Sequence, residues 1–136
     1  MGVPLNGTAV GNGAIYLHHP DHRNGNPQKS QWTILERQEL DVFTVAMQSN
    51  WLFNNKGWGL YKVEGALRYL GINRQRDEDV FVARFVGQAN NWHGYPADRE
   101  NRSDRPPLEV RRRWISERTL PRPKIRKLGA GERCAL

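Results

Sequence analysis

The feature that most limits the fold is an amphipathic stretch that begins near Thr33. Thr33 and Glu36 have the spacing of a capping box, in which each side chain accepts a hydrogen bond from the other residue's backbone N–H. Large apolar residues then recur at spacings of three and four, the period of one helix face: Leu40, Phe43, Met47 and Trp51. The pattern predicts a helix over residues 34–53.

Two further apolar segments follow in the middle of the chain. A stripe at helical spacing predicts a second helix over residues 60–70, with Gly71 at its left-handed C-terminal cap. Residues 80–86 are β-branched and aromatic and end at Gly87, so they predict a buried strand. Arg84 lies inside this strand, where we expect it at a sheet edge or in an ion pair.

The remaining segments give weaker signals. Residues 1–31 are rich in Gly and Asn and predict irregular structure, apart from an edge strand over 14–17. Residues 88–107 predict a long polar loop. Asp104 has the position of an N-cap for a third helix over 108–115.

Together these elements predict a small single-domain α+β fold. It has two N-terminal helices, a central strand region and a basic C-terminal helix and tail. We expect an irregular segment over 1–31, a globular α+β domain over 32–120 and a basic tail over 121–136. A short helix over 123–128, closed by Gly129, is the only regular structure expected in that tail.

Several function classes are excluded by what the sequence lacks. No run of about 18 apolar residues is present, so we expect no membrane partner, and the first residues lack the pattern of a secretory signal. One cysteine, Cys134, cannot form an internal disulfide, and we expect its thiol to be exposed. The sequence contains no phosphate-binding loop or dinucleotide fingerprint. We therefore expect a cytoplasmic protein without a cofactor.

The net charge of +7 is concentrated at the carboxyl-terminal end. Residues 105–136 hold ten basic and three acidic side chains, which is the whole excess of the chain. Such a segment attracts polyanions, because neutralised phosphates release condensed counterions. We therefore predict a small basic accessory protein that binds RNA or DNA through an Arg-rich helix and tail. The expected contacts are Arg111, Arg112, Arg113, Arg118, Arg122, Lys124, Arg126 and Lys127, with Trp58 and Trp92 stacking on bases.

The same arginines also suit an acidic protein partner. The alternative is a protein-binding module, such as an inhibitor or neutralising partner, in which the indole rings of Trp58 and Trp92 anchor the interface. No helix-turn-helix, zinc-finger, basic-zipper or RNA-recognition-motif signature is present to decide between the two.

Two short segments contain side chains that metal binding or catalysis would use. His18 and His22 have the spacing of paired metal ligands, but Pro20 lies between them, and an exposed polar turn explains the segment as well.

The second segment, residues 92–99, holds His93, Tyr95 and Arg99. These would supply an acid or base, a charge stabiliser and a phosphate clamp for a metal-independent nuclease, such as a small toxin. The alternative is a structural loop in which Trp92 and Tyr95 close the edge of the core.

Overall fold

Ten strands and three α-helices form the part of the chain that the computed structural model describes, residues 7–11 and 13–136. Two short 3-10 helices, Pro20–His22 and Arg102–Asp104, lie between them. The helices are α1 (Glu36–Gln48), α2 (Leu108–Ser116) and α3 (Arg122–Ala130). The strands are β1 (Gly7–Ala9), β2 (Ile15–Leu17), β3 (Gln31–Trp32), β4 (Leu52–Phe53), β5 (Lys56–Val63), β6 (Ala66–Arg68), β7 (Gly71–Ile72), β8 (Asp79–Val80), β9 (Val82–Gln88) and β10 (Asn91–Pro96).

Seven of these strands form one mixed sheet. Its order is β1-β2-β10-β9-β5-β4, and β6 extends β5 as a hairpin. Strands β2 and β10 are parallel, whereas the other neighbours are antiparallel. A smaller sheet has the order β3-β7-β8. No helix in the described ranges is long and apolar enough to cross a membrane.

Helix α1 covers one face of the large sheet, and glycines on the strands make that close approach possible. A Cβ at Gly59 would lie 2.7 Å from Cγ1 of Val42 on α1, and a Cβ at Gly94 would lie 2.5 Å from Cε1 of Phe85. Real Cβ atoms do not approach other atoms so closely, so these positions need glycine. Phe43 of α1 packs at the centre of the face, with its ring 5.1 Å from that of Phe85.

The expectation of two N-terminal helices is wrong. Strands β1, β2 and β3 precede α1. The segment 60–70 forms no second helix and instead contains the end of β5, a turn, β6 and the two residues after it. Glu64 and Gly65 both have positive φ, 51° and 80°, as in a type I′ turn that joins two antiparallel strands. The apolar stripe of this segment serves sheet pairing, with Leu60 opposite Val82.

The long loop expected over 88–107 is also wrong in its first part. Ala89 and Asn90 make a tight turn with positive φ, after which β10 pairs with β9 from Gln88 back to Ala83. Gly87 therefore lies inside a strand and does not end it. The buried strand expected over 80–86 is present, but it is divided into β8 and β9 at Phe81.

The N-terminal segment contributes more regular structure than its composition indicates. The strand expected over 14–17 exists as β2, but it lies between β1 and β10 and is not an edge strand. Residues 1–6 and 12 of the segment expected to be irregular lie outside the described residues. Helix α1 begins after Leu35, whose backbone N–H donates to Gln38 at 2.8 Å, so the predicted Thr33 cap is wrong.

The C-terminal part follows its predicted order of helices more closely. Helix α2 lies where the third helix was expected, but Asp104 is buried away from its start, and Pro107 is the N-cap. Helix α3 ends at Gly131 (φ 73°) and not at Gly129. Trp114 of α2 packs edge-on against Trp51 at 5.8 Å, and both rings are buried, as their apolar stripes predict. Cys134 is buried, contrary to expectation.

Candidate functional site

The face of the sheet opposite α1 carries a group of polar side chains. Along β10, Trp92 and Gly94 are buried toward α1, so His93 and Tyr95 point to the other face. Arg84 on β9 is paired with Tyr95 in the antiparallel register and lies on that same face. The strand alternation therefore places an imidazole, a phenol and a guanidinium side by side.

Asp104 fixes the inner part of this face. Its carboxylate accepts hydrogen bonds from Arg84 Nη1 at 2.6 Å, from the Tyr95 hydroxyl at 2.7 Å and from the Asp98 backbone N–H at 2.9 Å. Trp58 packs against the same segment and donates its indole N–H to the Asp104 carbonyl at 2.9 Å. Burial, and then the neighbouring carboxylate, raise the pKa of Tyr95 well above its usual range, so the phenol stays protonated.

His22 stacks on this network from the first 3-10 helix. Its ring lies 5.0 Å from that of Tyr95, with 14° between the planes. Nδ1 of His22 is 2.9 Å from the Ser30 carbonyl oxygen. Because a carbonyl only accepts, Nδ1 carries the hydrogen and Nε2 keeps its lone pair in the neutral ring.

His19 joins His22 to His93. Its ring centroid is 5.6 Å from that of His22 and 5.7 Å from that of His93. The three imidazoles line an open groove of about 600 Å³, together with Lys29 and Arg74. We call this the histidine groove; its other lining residues are Asp21, Gln28, Ser30, Tyr95, Asp98, Glu100, Asn101 and Asp104.

Two of the imidazoles in the groove have lowered pKa values. Burial lowers the pKa of His93, and the nearby His19 and Arg84 act in the same direction. Burial also lowers the pKa of His22, partly offset by its bond to the Ser30 carbonyl. Perturbed histidines in a polar groove are typical of sites that transfer protons.

The candidate metal ligands His18 and His22 have separate contacts. His18 Nδ1 lies 3.2 Å from Glu39 Oε2, on a buried carboxylate that also binds Arg23 Nη2 at 2.8 Å and accepts from the Tyr16 hydroxyl. No group of three metal-binding side chains suitable for an ion occurs among residues 7–11 and 13–136. His22 is instead grouped with His19 and His93.

The structure divides the catalytic trio expected from the sequence. His93 and Tyr95 share β10, whereas the Arg99 guanidinium is bound to both carboxylate oxygens of Glu78 at 3.0 Å and to the Gly131 carbonyl. His19 was not singled out as a site residue, since no local pattern distinguishes it from His18. The signal available was only the density of imidazoles near Pro20.

Four of the predicted nucleic-acid contacts are exposed on the last two helices or in the segment between them. Arg112 and Arg113 on α2, Arg118 after it and Arg122 on α3 are exposed, and none of them forms an ion pair with any other residue in the described part of the chain. We call these four residues the arginine face. Beside it, α2 and α3 enclose a groove of about 460 Å³.

The other predicted basic contacts are half-buried or already bonded within the chain. Arg111 is half-buried, donates to the Pro106 carbonyl at 3.1 Å and packs against Gly129. Lys124 donates to the Ala135 carbonyl, and Arg126 forms an exposed pair with Glu132 at 3.5 Å. Lys127 is half-buried.

The two predicted stacking rings are not on the surface. Trp58 is 3% exposed and Trp92 is 7% exposed. The Trp92 ring covers Gly87 and lies 5.6 Å from Phe43. The expected exposure of Trp58 is therefore wrong, and neither ring is open to a base.

Comparison with models of protein families, with curated proteins and with solved structures finds no match to this chain. The functional argument therefore starts from the histidine groove and the arginine face themselves.

Proposed function

We propose that the protein binds nucleic acid through the arginine face. The observation that carries this proposal is the exposure of four arginines, on two packed helices and the segment that joins them, without an acidic partner in the described part of the chain. Guanidinium groups that are exposed and have no acidic partner are available for bidentate hydrogen bonds to phosphate. The proposal includes the reducing, cytoplasmic setting that a single cysteine indicates.

The shape of the surface supports contact with a phosphate backbone. Helix α2 has nine residues, a length of about 13.5 Å, which matches about four base pairs of duplex at 3.4 Å each. Arg112, Arg122 and Arg126 all line the groove between α2 and α3, so positive charge from both helices meets at this groove. Non-specific or structure-specific binding follows, since backbone contacts carry no base information.

An acidic protein partner is the second candidate. Leu108 is 45% exposed and lines the same groove with Ile115 and Pro123. An apolar floor between arginines suits an acidic amphipathic segment as well as a nucleic acid.

The test is fluorescence anisotropy with labelled RNA, single-stranded DNA and duplex DNA at several salt concentrations. The informative variant combines Arg112→Gln, Arg113→Gln and Arg122→Gln, and leaves Arg111 in place because that side chain packs between the helices. Loss of three phosphate contacts should weaken binding and reduce the slope of log affinity against log salt by about 2–3.

A matched control removes the same charge elsewhere. Arg37→Gln, Lys62→Gln and Arg68→Gln change three exposed cations on α1 and the β5–β6 hairpin, and should leave the salt slope unchanged. Equal loss of affinity in both triple variants would mean that net charge, and not the arginine face, binds the nucleic acid. Absence of binding by the unmodified protein at low salt would refute the proposal and favour an acidic protein partner.

A further inference from the structure

We propose that the histidine groove is a catalytic site that cleaves RNA by transphosphorylation, with His93 as general base and His19 as general acid. RNA as the substrate class rests on the proposed nucleic-acid binding, whereas the acid–base pair rests on the groove alone.

The surroundings of His93 suit a base. Its side chain extends from β10, a strand that has a neighbour on each side. The side chain is half-buried on the face of the sheet that also carries Arg84. The positive charge of Arg84 is itself held in place by Asp104 at 2.6 Å. The same burial and positive charge lower the pKa of His93, so the ring is neutral and able to accept a proton at neutral pH.

The surroundings of His19 suit an acid. In the neutral ring, Nδ1 of His19 accepts from the Asp21 backbone N–H at 3.3 Å, so the hydrogen is on Nε2. The Asp21 carboxylate also lies 4.0 Å from Nδ1, so a ring protonated at Nδ1 exchanges the bond from the backbone N–H for a contact with that carboxylate. His19 therefore lies beside a carboxylate, whereas the charge near His93 is the Arg84 guanidinium.

The two rings are close neighbours. Their centroids are 5.7 Å apart, so one phosphodiester bound in the groove can offer an oxygen to each ring within a hydrogen-bond reach of about 2.6–3.2 Å. A charge on His19 lowers the pKa of His93, which favours a neutral His93 beside a protonated neighbour. One proton shared by two imidazoles is the state that an acid–base mechanism needs.

Cations for the phosphate are also present. Lys29 and Arg74 line the groove and are exposed, and neither forms an ion pair with a residue in the described ranges. The groove also contains four carboxylates, of which Asp104 is paired with Arg84 and Asp98 accepts from the Glu100 backbone N–H at 2.9 Å. His22 is a positioning residue. It contacts the Ser30 carbonyl, stacks on Tyr95 and packs edge-on against His19.

The reaction balances without any further reagent. His93 takes the proton of the ribose 2′-hydroxyl as its oxygen attacks the adjacent phosphorus and forms the O2′–P bond. The O5′–P bond breaks, and the protonated His19 gives its proton to the leaving O5′. The products are a 2′,3′-cyclic phosphate and a free 5′-hydroxyl, and proton exchange with water restores the pair.

The experiment uses the full chain with a mixture of ribodinucleotides and with single-stranded RNA, and identifies products by mass spectrometry. We expect 2′,3′-cyclic phosphate ends, no cleavage of the matching DNA, which lacks the 2′-hydroxyl, and unchanged rates in EDTA. His93→Gln and His19→Gln should each lower the rate about 10²–10⁴-fold. Both should keep the circular dichroism spectrum and RNA affinity of the unmodified protein.

The pH profile separates catalytic from structural roles. The unmodified protein should give a bell-shaped profile, His93→Gln should lose the acidic limb, and His19→Gln should lose the basic limb. The positions of both limbs also depend on the titratable and charged groups around the two rings. These are Asp21 and His22 on the 3-10 helix, Arg84 on β9, Tyr95 on β10, and Lys29, Arg74, Asp98, Glu100 and Asp104 around the groove.

His18→Gln is the matched control, since His18 contacts Glu39 outside the groove, and it should cleave at the unmodified rate. Failure of the folded protein to cleave either substrate would overturn the proposal, whether or not RNA binds. Cleavage that survives both groove substitutions, or that requires a metal ion, would overturn it as well. Cleavage of dinucleotides without binding of longer RNA would support the groove and refute only the arginine face.

Discussion

Replacing Asp104 with asparagine tests the network beneath the histidine groove. Asp104 is 2% exposed, and its two oxygens accept three hydrogen bonds, from Arg84, Tyr95 and the Asp98 backbone N–H. Asparagine offers one acceptor oxygen and directs an NH₂ donor at a site that supplies donors. The substitution also leaves the Arg84 guanidinium, in a side chain only 9% exposed, without its counter-charge. Breaking a buried ion pair in this way costs about 3–5 kcal/mol.

Urea unfolding followed by circular dichroism measures this loss. Arg84→Met and the double variant complete a thermodynamic cycle, and removal of both charges should cost less than the sum of the two single changes by about 0.5–3 kcal/mol. Asp41→Asn, an exposed carboxylate on α1, is the control and should change stability by no more than about 0.5 kcal/mol. A loss below about 1 kcal/mol in Asp104→Asn, or additive effects in the cycle, would refute the argument that the pair is buried and coupled.

Three other outcomes follow from the same structure. Gly94→Ala should lower the unfolding free energy by about 1–3 kcal/mol in urea, because the new Cβ would meet the Phe85 ring. The pKa values of His22 and His93 are lowered in the folded protein, so their contribution to stability is complete above about pH 6.5 and declines as the pH falls below it. The decline, measured by unfolding at several pH values, should be at most about 1.4 kcal/mol per pH unit for each group, and loss of stability in the opposite direction would contradict the assignment. Cys134 should react with a thiol reagent much more slowly in the folded than in the urea-unfolded protein, since burial both shields the thiol and raises its pKa; equal rates would contradict its burial.

The spacing of apolar residues predicts a helix correctly where the helix packs along one continuous apolar stripe. The helix expected over 34–53 appears as the shorter α1, and the third helix appears as α2, since in both the apolar residues face a single neighbouring surface. The segment 60–70 shows the limit of this argument. Leu60 and Leu67 fit a helical stripe, but Glu64 and Gly65 form a turn, and β5 pairs with β9 so that Leu60 is buried opposite Val82. Tertiary pairing therefore overrides local spacing.

The candidate site could be predicted in its parts but not in its assembly. The sequence distinguished the imidazoles near Pro20 and the segment around His93, each as a separate possibility. They meet because β2 pairs in parallel with β10, a contact between distant segments for which neither carries a signal. The burial of Trp58 also depends on tertiary packing and was not predicted. Its flanking glycines indicate a turn in the sequence, but in β5 they permit close packing.

The register of the sheet decides whether the proposed acid–base pair exists. Trp92 on β10 lies opposite Tyr16 on β2, and both side chains are buried toward α1. A slip of one residue in β10 would turn Trp92 to the open face and His93 into the core, because side chains alternate along a strand. The large aromatic rings therefore fix the register, and the register places His93 beside the residues that follow β2. The core residues that bind no ligand thus set the distance between His19 and His93, on which the proposed proton transfer depends.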